Sequence, residues 1–109
     1  MAYDKVLADR IRRLLGARRG IREMEQFGGV GFLVKGNMAV GVIGSDLLVR
    51  VGPDSYEDAL EGPHTKAFAM TGRPMRGWVL VRPAGTKHPA GLKKWVEQGL
   101  DFARRLPAK

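Results

Sequence analysis

The densest chemistry in the chain is the run Gly72-Arg73-Pro74-Met75-Arg76-Gly77-Trp78, where a glycine- and proline-shaped loop holds two guanidinium groups at fixed spacing beside an indole ring. Guanidinium forks bind carboxylates and phosphates through paired N–H donors, and a flat ring beside them can stack on a base. Arg73, Arg76 and Trp78 are therefore candidate anion- or partner-binding residues. A hairpin with solvated arginines and a core indole is the plainer account of the same residues. The other candidate contacts are two basic pairs, Arg12-Arg13 near the N-terminus and Lys93-Lys94 near the C-terminus.

Catalytic chemistry finds less to work with. His64 and His88 each neighbour a proline, have no histidine at i,i+4 and no cysteine to complete a metal set, so both read as loop histidines and no metal is expected. Ser45 and Ser55 lie outside any G-x-S-x-G elbow and read as a turn residue and a helix-start residue. Gly28, Gly29 and Gly31 run into Phe32 and Leu33, so they open a strand and not a helix, which is not a dinucleotide fingerprint; the Walker pattern is absent too. Glu57 and Glu61 share a helix face with Asp58 beside them, but no partner base or nucleophile accompanies them, and a solvated acidic face accounts for the trio. The expectation is a non-enzyme with no cofactor.

The elements that must position these residues belong to one domain spanning residues 1–109, because 109 residues can bury one two-layer core and leave no room for a second. Zero cysteines fit a reducing compartment, and neither a signal-like opening nor a long apolar run occurs, so a cytoplasmic protein without a membrane segment is expected. The net charge of +8 is unevenly spread: residues 1–22 carry +5, residues 23–62 carry −5 and residues 63–109 carry +8. Basic ends around an acidic middle raise the case for an anionic partner, although solvated helix faces produce the same pattern.

Tyr3, Val6, Leu7, Ile11, Leu14 and Leu15 recur at helical spacing over residues 2–16, stopped near Gly16 and Gly20. A meander follows: Ile21 to Phe27, Val30 to Val34, Met38 to Ile43 and Leu47 to Val51 read as strands, with hairpin turns at Gly36-Asn37 and Gly44-Ser45-Asp46. Alternation places Val30, Phe32, Val34, Met38, Val40 and Val42 on one face and Gly31, Ala39 and Gly41 on the other. Such a bare face admits a helix, a ring or a ligand, and a packed helix or ring is the expected cover. Pro53 to Leu60 holds a short helix, 67–71 and Gly77 to Arg82 read as strands with the Arg73 loop between them, and Leu92, Trp95, Val96, Gly99, Phe102, Ala103 and Leu106 form the stripe of a last helix.

The ordered combination of Phe27-Gly28-Gly29-Val30-Gly31-Phe32-Leu33-Val34 through Gly36-Asn37-Met38, then Leu47 to Pro53, then Met70-Thr71-Gly72-Arg73-Pro74-Met75-Arg76-Gly77-Trp78 resembles the TfoX N-terminal domain family over essentially the whole chain. The resemblance implies a two-layer α+β fold, an antiparallel sheet with N- and C-terminal helices packed on it, similar to the secretion-chaperone-like fold. Longer members, the TfoX/Sxy proteins, regulate natural competence with the cyclic-AMP receptor protein and carry a C-terminal domain that this chain is expected to lack. The family has no established catalytic residues to carry over.

The resulting expectation is a regulatory, protein-interaction domain linked to bacterial transcriptional regulation, its partner a component of the transcription machinery or a regulator. Two further readings stay open: a weak nucleic-acid binder using the basic termini, and a small anionic-ligand domain using the Arg73 to Trp78 loop. The partner and the oligomeric state are not legible.

Overall fold

Asp4 starts the first helix by turning its carboxylate back on the chain, with Oδ1 accepting from the backbone N–H of Val6 at 2.9 Å and of Leu7 at 3.1 Å. Helix α1 (Lys5–Leu15) follows and closes at Gly16, with Arg12 and Arg13 in its last turn, where the helix dipole favours cations. A computed structural model describes residues 3–16, 18, 20–26, 28–70 and 72–108. The stretch from Ile21 contributes β1 (Ile21–Gln26), β2 (Gly29–Val34), β3 (Asn37–Ile43) and β4 (Asp46–Arg50), then α2 (Tyr56–Leu60), β5 (Thr65–Met70), β6 (Arg73–Val81), α3 (Pro83–Thr86) and α4 (Pro89–Arg104).

All six strands form one antiparallel sheet in the order β1-β2-β3-β4-β6-β5. The chain leaves β4 through α2, lays β5 on the outer edge and returns as β6 beside β4. One apolar cluster joins Val30, Phe32, Val40, Val42, Val49 and Val79 of the sheet to Leu7 and Ile11 of α1 and to Leu92, Val96 and Leu100 of α4. Both long helices therefore lie on the same face. Gly99 permits the approach of α4, because a Cβ there would stand 2.5 Å from the carbonyl oxygen of Ala39.

The α+β, two-layer reading holds. The details depart from the sequence reading in several places. The first turn falls on Lys35-Gly36, with φ of 52° and 84°, so Asn37 already belongs to β3; Asp46 likewise opens β4. The stretch expected as the Arg73 loop is strand from Arg73 onward. The strand ends proposed at Phe27 and Thr71, and the helix start at Ala2, lie outside the described residues. Helix α3 was not foreseen, nor was Leu100 in the core stripe; Trp95 and Phe102 are half-buried, with Trp95 packed against the cluster's margin.

Candidate functional site

Two irregularities in the ladders decide what the second face of the sheet presents. In β2 and β3, Phe32 opposes Val40 but Leu33 opposes Met38, which leaves Ala39 as the extra residue of a bulge. The expected parity is broken there: Met38 turns away from the core set and its Cε comes to rest over Gly31, 2.5 Å from where a Cβ on that glycine would lie. In β5 and β6, Ala67 opposes Val79 and Ala69 opposes Pro74, so the four residues from Met75 to Trp78 face the single residue Phe68.

Of the two covers expected for this face, rings are present, Trp78 and Phe68, and no helix lies over it among the described residues. The buried glycines Gly29, Gly31 and Gly41 floor a shallow groove of about 570 Å³ walled by Leu33, Met38, Ile43, Leu48, Phe68, Met75 and Trp78. The described helices α1, α2 and α4 pack on the opposite face, with Ile11, Tyr56 and Leu100 in one cluster with the sheet's core valines. A volume in this range, mostly apolar with few polar groups, is the usual character of a binding site.

Arg50 is the cation in the groove. Its guanidinium carbon lies 5.0 Å from the Trp78 ring centroid and 5.5 Å from that of Phe102, so it joins the open face to α4. Burial lowers its pKa, and no carboxylate opposes that effect. Among the described residues Arg50 has no ion-pair or hydrogen-bond partner.

The sequence matches the TfoX N-terminal domain over residues 13–103. The chain belongs to that family. No curated protein and no solved structure matches it. The TfoX N-terminal domain is a regulatory-type domain.

Within this TfoX N-terminal domain the candidate residues from the sequence do not converge. Trp78 lies in the groove, half-buried under Arg50. Arg76, two residues before it, is turned by the bulge toward α2, where its Nη1 donates to Glu57 Oε2 at 3.0 Å and its guanidinium lies 5.6 Å from the Tyr56 ring. Arg73 is exposed at the start of β6. Arg12 is engaged by two carboxylates: Nε and Nη2 donate to Glu23 at 2.8 Å each, and Nη1 donates to Asp9. These contacts hold its pKa above the ordinary arginine value. Arg13, Lys93 and Lys94 are exposed. Glu57 is the salt-bridge partner of Arg76, and His88 stands at the start of α4 with no side-chain capping bond. Among the described residues no group of three histidine or acidic side chains could hold a metal ion, and no helix is long and apolar enough to cross a membrane.

What sequence reasoning missed is the groove itself, apart from Trp78. A signal for it existed: Leu47, Leu48 and Val49 are consecutive apolar residues, and a strand apolar on both parities is one whose two faces are both designed to be dry.

Proposed function

We propose that this TfoX N-terminal domain is a non-enzymatic regulatory domain that works in the cytoplasm by binding another protein, and that it is linked to bacterial transcriptional regulation. The observation that carries the reading is the apolar groove on the side of the sheet away from α1 and α4, lined by Leu48, which is buried, and by Leu33, Met38, Ile43, Met75 and Trp78, which are half-buried, with no helix over it among the described residues. A groove walled mainly by apolar side chains with a single cation in it is the usual character of a binding site. Family membership supports the regulatory part.

The nucleic-acid reading draws less support, because Arg12, Arg18 and Arg104 of the basic ends are engaged by Glu23, Glu97 and Asp101. The small-anion reading loses its two-arginine clamp, since Arg76 is directed to Glu57.

The test replaces the chromosomal copy with Met75→Asp and compares its transcript profile with that of a deletion strain and of a Lys93→Ala, Lys94→Ala strain. The reading expects Met75→Asp to reproduce the deletion profile at unchanged protein level, and the lysine variant to resemble wild type. A Met75→Asp profile indistinguishable from wild type would overturn it.

A further inference from the structure

Deepening that reading, and resting on it, the geometry points to the chemistry of the partner: the groove takes an acidic amphipathic helix, which lays its apolar side chains across Leu33, Met38, Ile43, Leu48 and Met75 and sets a carboxylate on Arg50.

The shape argues for a helix. The groove is lined from β2 through β3, β4 and β6 to β5. Four inter-strand steps of about 4.8 Å make it roughly 19 Å wide, the length of a helix of roughly 13 residues. The other face of the same sheet is already covered in this way by α4, a helix of 16 residues seating Leu92, Val96, Leu100 and Ala103. Apolar anchors at i, i+3 or i+4 and i+7 are how helices occupy such grooves. The wall contains two methionines among aliphatic residues, and unbranched thioether side chains adapt to a helix surface. A single-strand nucleic-acid platform would instead present several rings for stacking; here Trp78 and Phe68 are the aromatic members.

Charge selects the sign. Residues opposed across a ladder share a face, so Arg22, opposite Leu33, and Arg50, opposite Trp78, both belong to the open side, and Arg73 shares its parity with Met75. None of the three has an ion-pair partner among the described residues. The acid on this side, Asp46, is held by Lys66 at 3.2 Å. The acids of β1 point the other way: Glu23 is bound by Arg12 of α1, and Glu25 accepts from the Tyr3 hydroxyl. Three free guanidinium groups around an apolar floor complement a partner carrying carboxylates. They oppose a second copy of this chain, whose matching face would bring like charges together around the same floor.

The experiment displays a library of random segments of about 16 residues, one helix long, and selects binders on the immobilised protein. Enriched sequences are expected to carry apolar residues at helical spacing with an excess of Asp and Glu. A synthetic peptide of the enriched sequence should bind Met75→Asp and Arg50→Glu at least about tenfold more weakly than wild type, the loss expected of a central contact. Exchanging one peptide carboxylate for Lys should restore binding to Arg50→Glu, and this swap separates a lost contact from a damaged fold. The exposed pair Arg22→Glu with Arg73→Glu provides the same comparison away from the packed region. Enriched sequences without acidic excess, or peptides indifferent to both Met75→Asp and the charge reversals, would overturn the inference and leave the protein-binding reading standing. A dimer in sedimentation that Met75→Asp dissolves would overturn it in favour of self-association. Occupation of the face by oligothymidylate, with no peptide selected, would overturn both.

Discussion

Arg50 and Trp78 are directly opposed residues of β4 and β6, and the guanidinium carbon of one lies 5.0 Å from the ring centroid of the other. The pair does two things at once. The indole and the Phe102 ring shield the guanidinium from water, and the absence of a carboxylate beside it leaves its N–H donors uncommitted to any other described side chain.

Removing that charge should therefore cost little. Arg50→Met keeps the apolar stem against Trp78 and Phe102 and forfeits a cation–π contact, so stability should fall by no more than about 1 kcal/mol. Urea denaturation of the two proteins checks it; a loss of several kcal/mol would mean that Arg50 is structural.

Gly52 should tolerate no side chain. Its φ is 85°, and a Cβ would stand 2.4 Å from Cε1 of Phe102. Left-handed backbone and overpacking each cost about 1–3 kcal/mol, so Gly52→Ala should destabilise by about 2–6 kcal/mol. Phe102→Leu in the same chain should recover the packing part but not the backbone part, which a double-mutant cycle in urea resolves.

Core truncations on α4 should rank by burial and not by side-chain size. Leu100 is fully buried, so Leu100→Ala should cost about 2–5 kcal/mol. Trp95→Ala, at the margin of the cluster, should cost less despite removing more atoms. Thermal midpoints of the two variants compare them directly.

Asn37 is 2% exposed, and its Nδ2 donates to the carbonyl oxygen of Pro107 at 2.9 Å, tying the C-terminal tail to the start of β3. Asn37→Ala should cost about 1–2 kcal/mol. Amide exchange at Leu106 should quicken, and unchanged exchange there would show that the tail is held by other contacts.

The Arg18–Glu97 pair should give stability a small acid-side dependence. Hydrogen bonds from Arg18 outweigh burial and hold the Glu97 carboxyl below the ordinary glutamate value. A depressed folded-state pKa stabilises the protein above the unfolded pKa, and the benefit is lost as pH falls from the ordinary glutamate value through the lower folded value. With side chains 36% and 32% exposed, solvent screening keeps the contribution under about 1 kcal/mol. Glu97→Gln should flatten this part of the stability–pH curve and leave the rest unchanged.

The sequence by itself determined the two-layer α+β architecture, because periodicity and turn chemistry are local properties. The stripe of Leu7, Ile11 and Leu15 can only be a helix face, and alternation through Val30, Phe32, Val40 and Val42 can only be a strand face. The ordered motifs carried the family in the same way. Tertiary structure alone decided the candidate site. Whether Met38 joins the core or the open face depends on Ala39 being left over in a pairing between two strands, and register is a property of the pair. Whether Arg76 stays beside Trp78 depends on four residues of β6 being set against Phe68, which sends Arg76 to Glu57. The free charge on Arg50 is the most remote of all. It rests on Trp78 and Phe102 arriving from β6 and α4, and on Glu23 and Glu25 of β1 being claimed by Arg12 of α1 and by Tyr3 from the far side of the sheet. Which cations remain unpaired is a question about distances between elements, and no spacing along the chain contains that information.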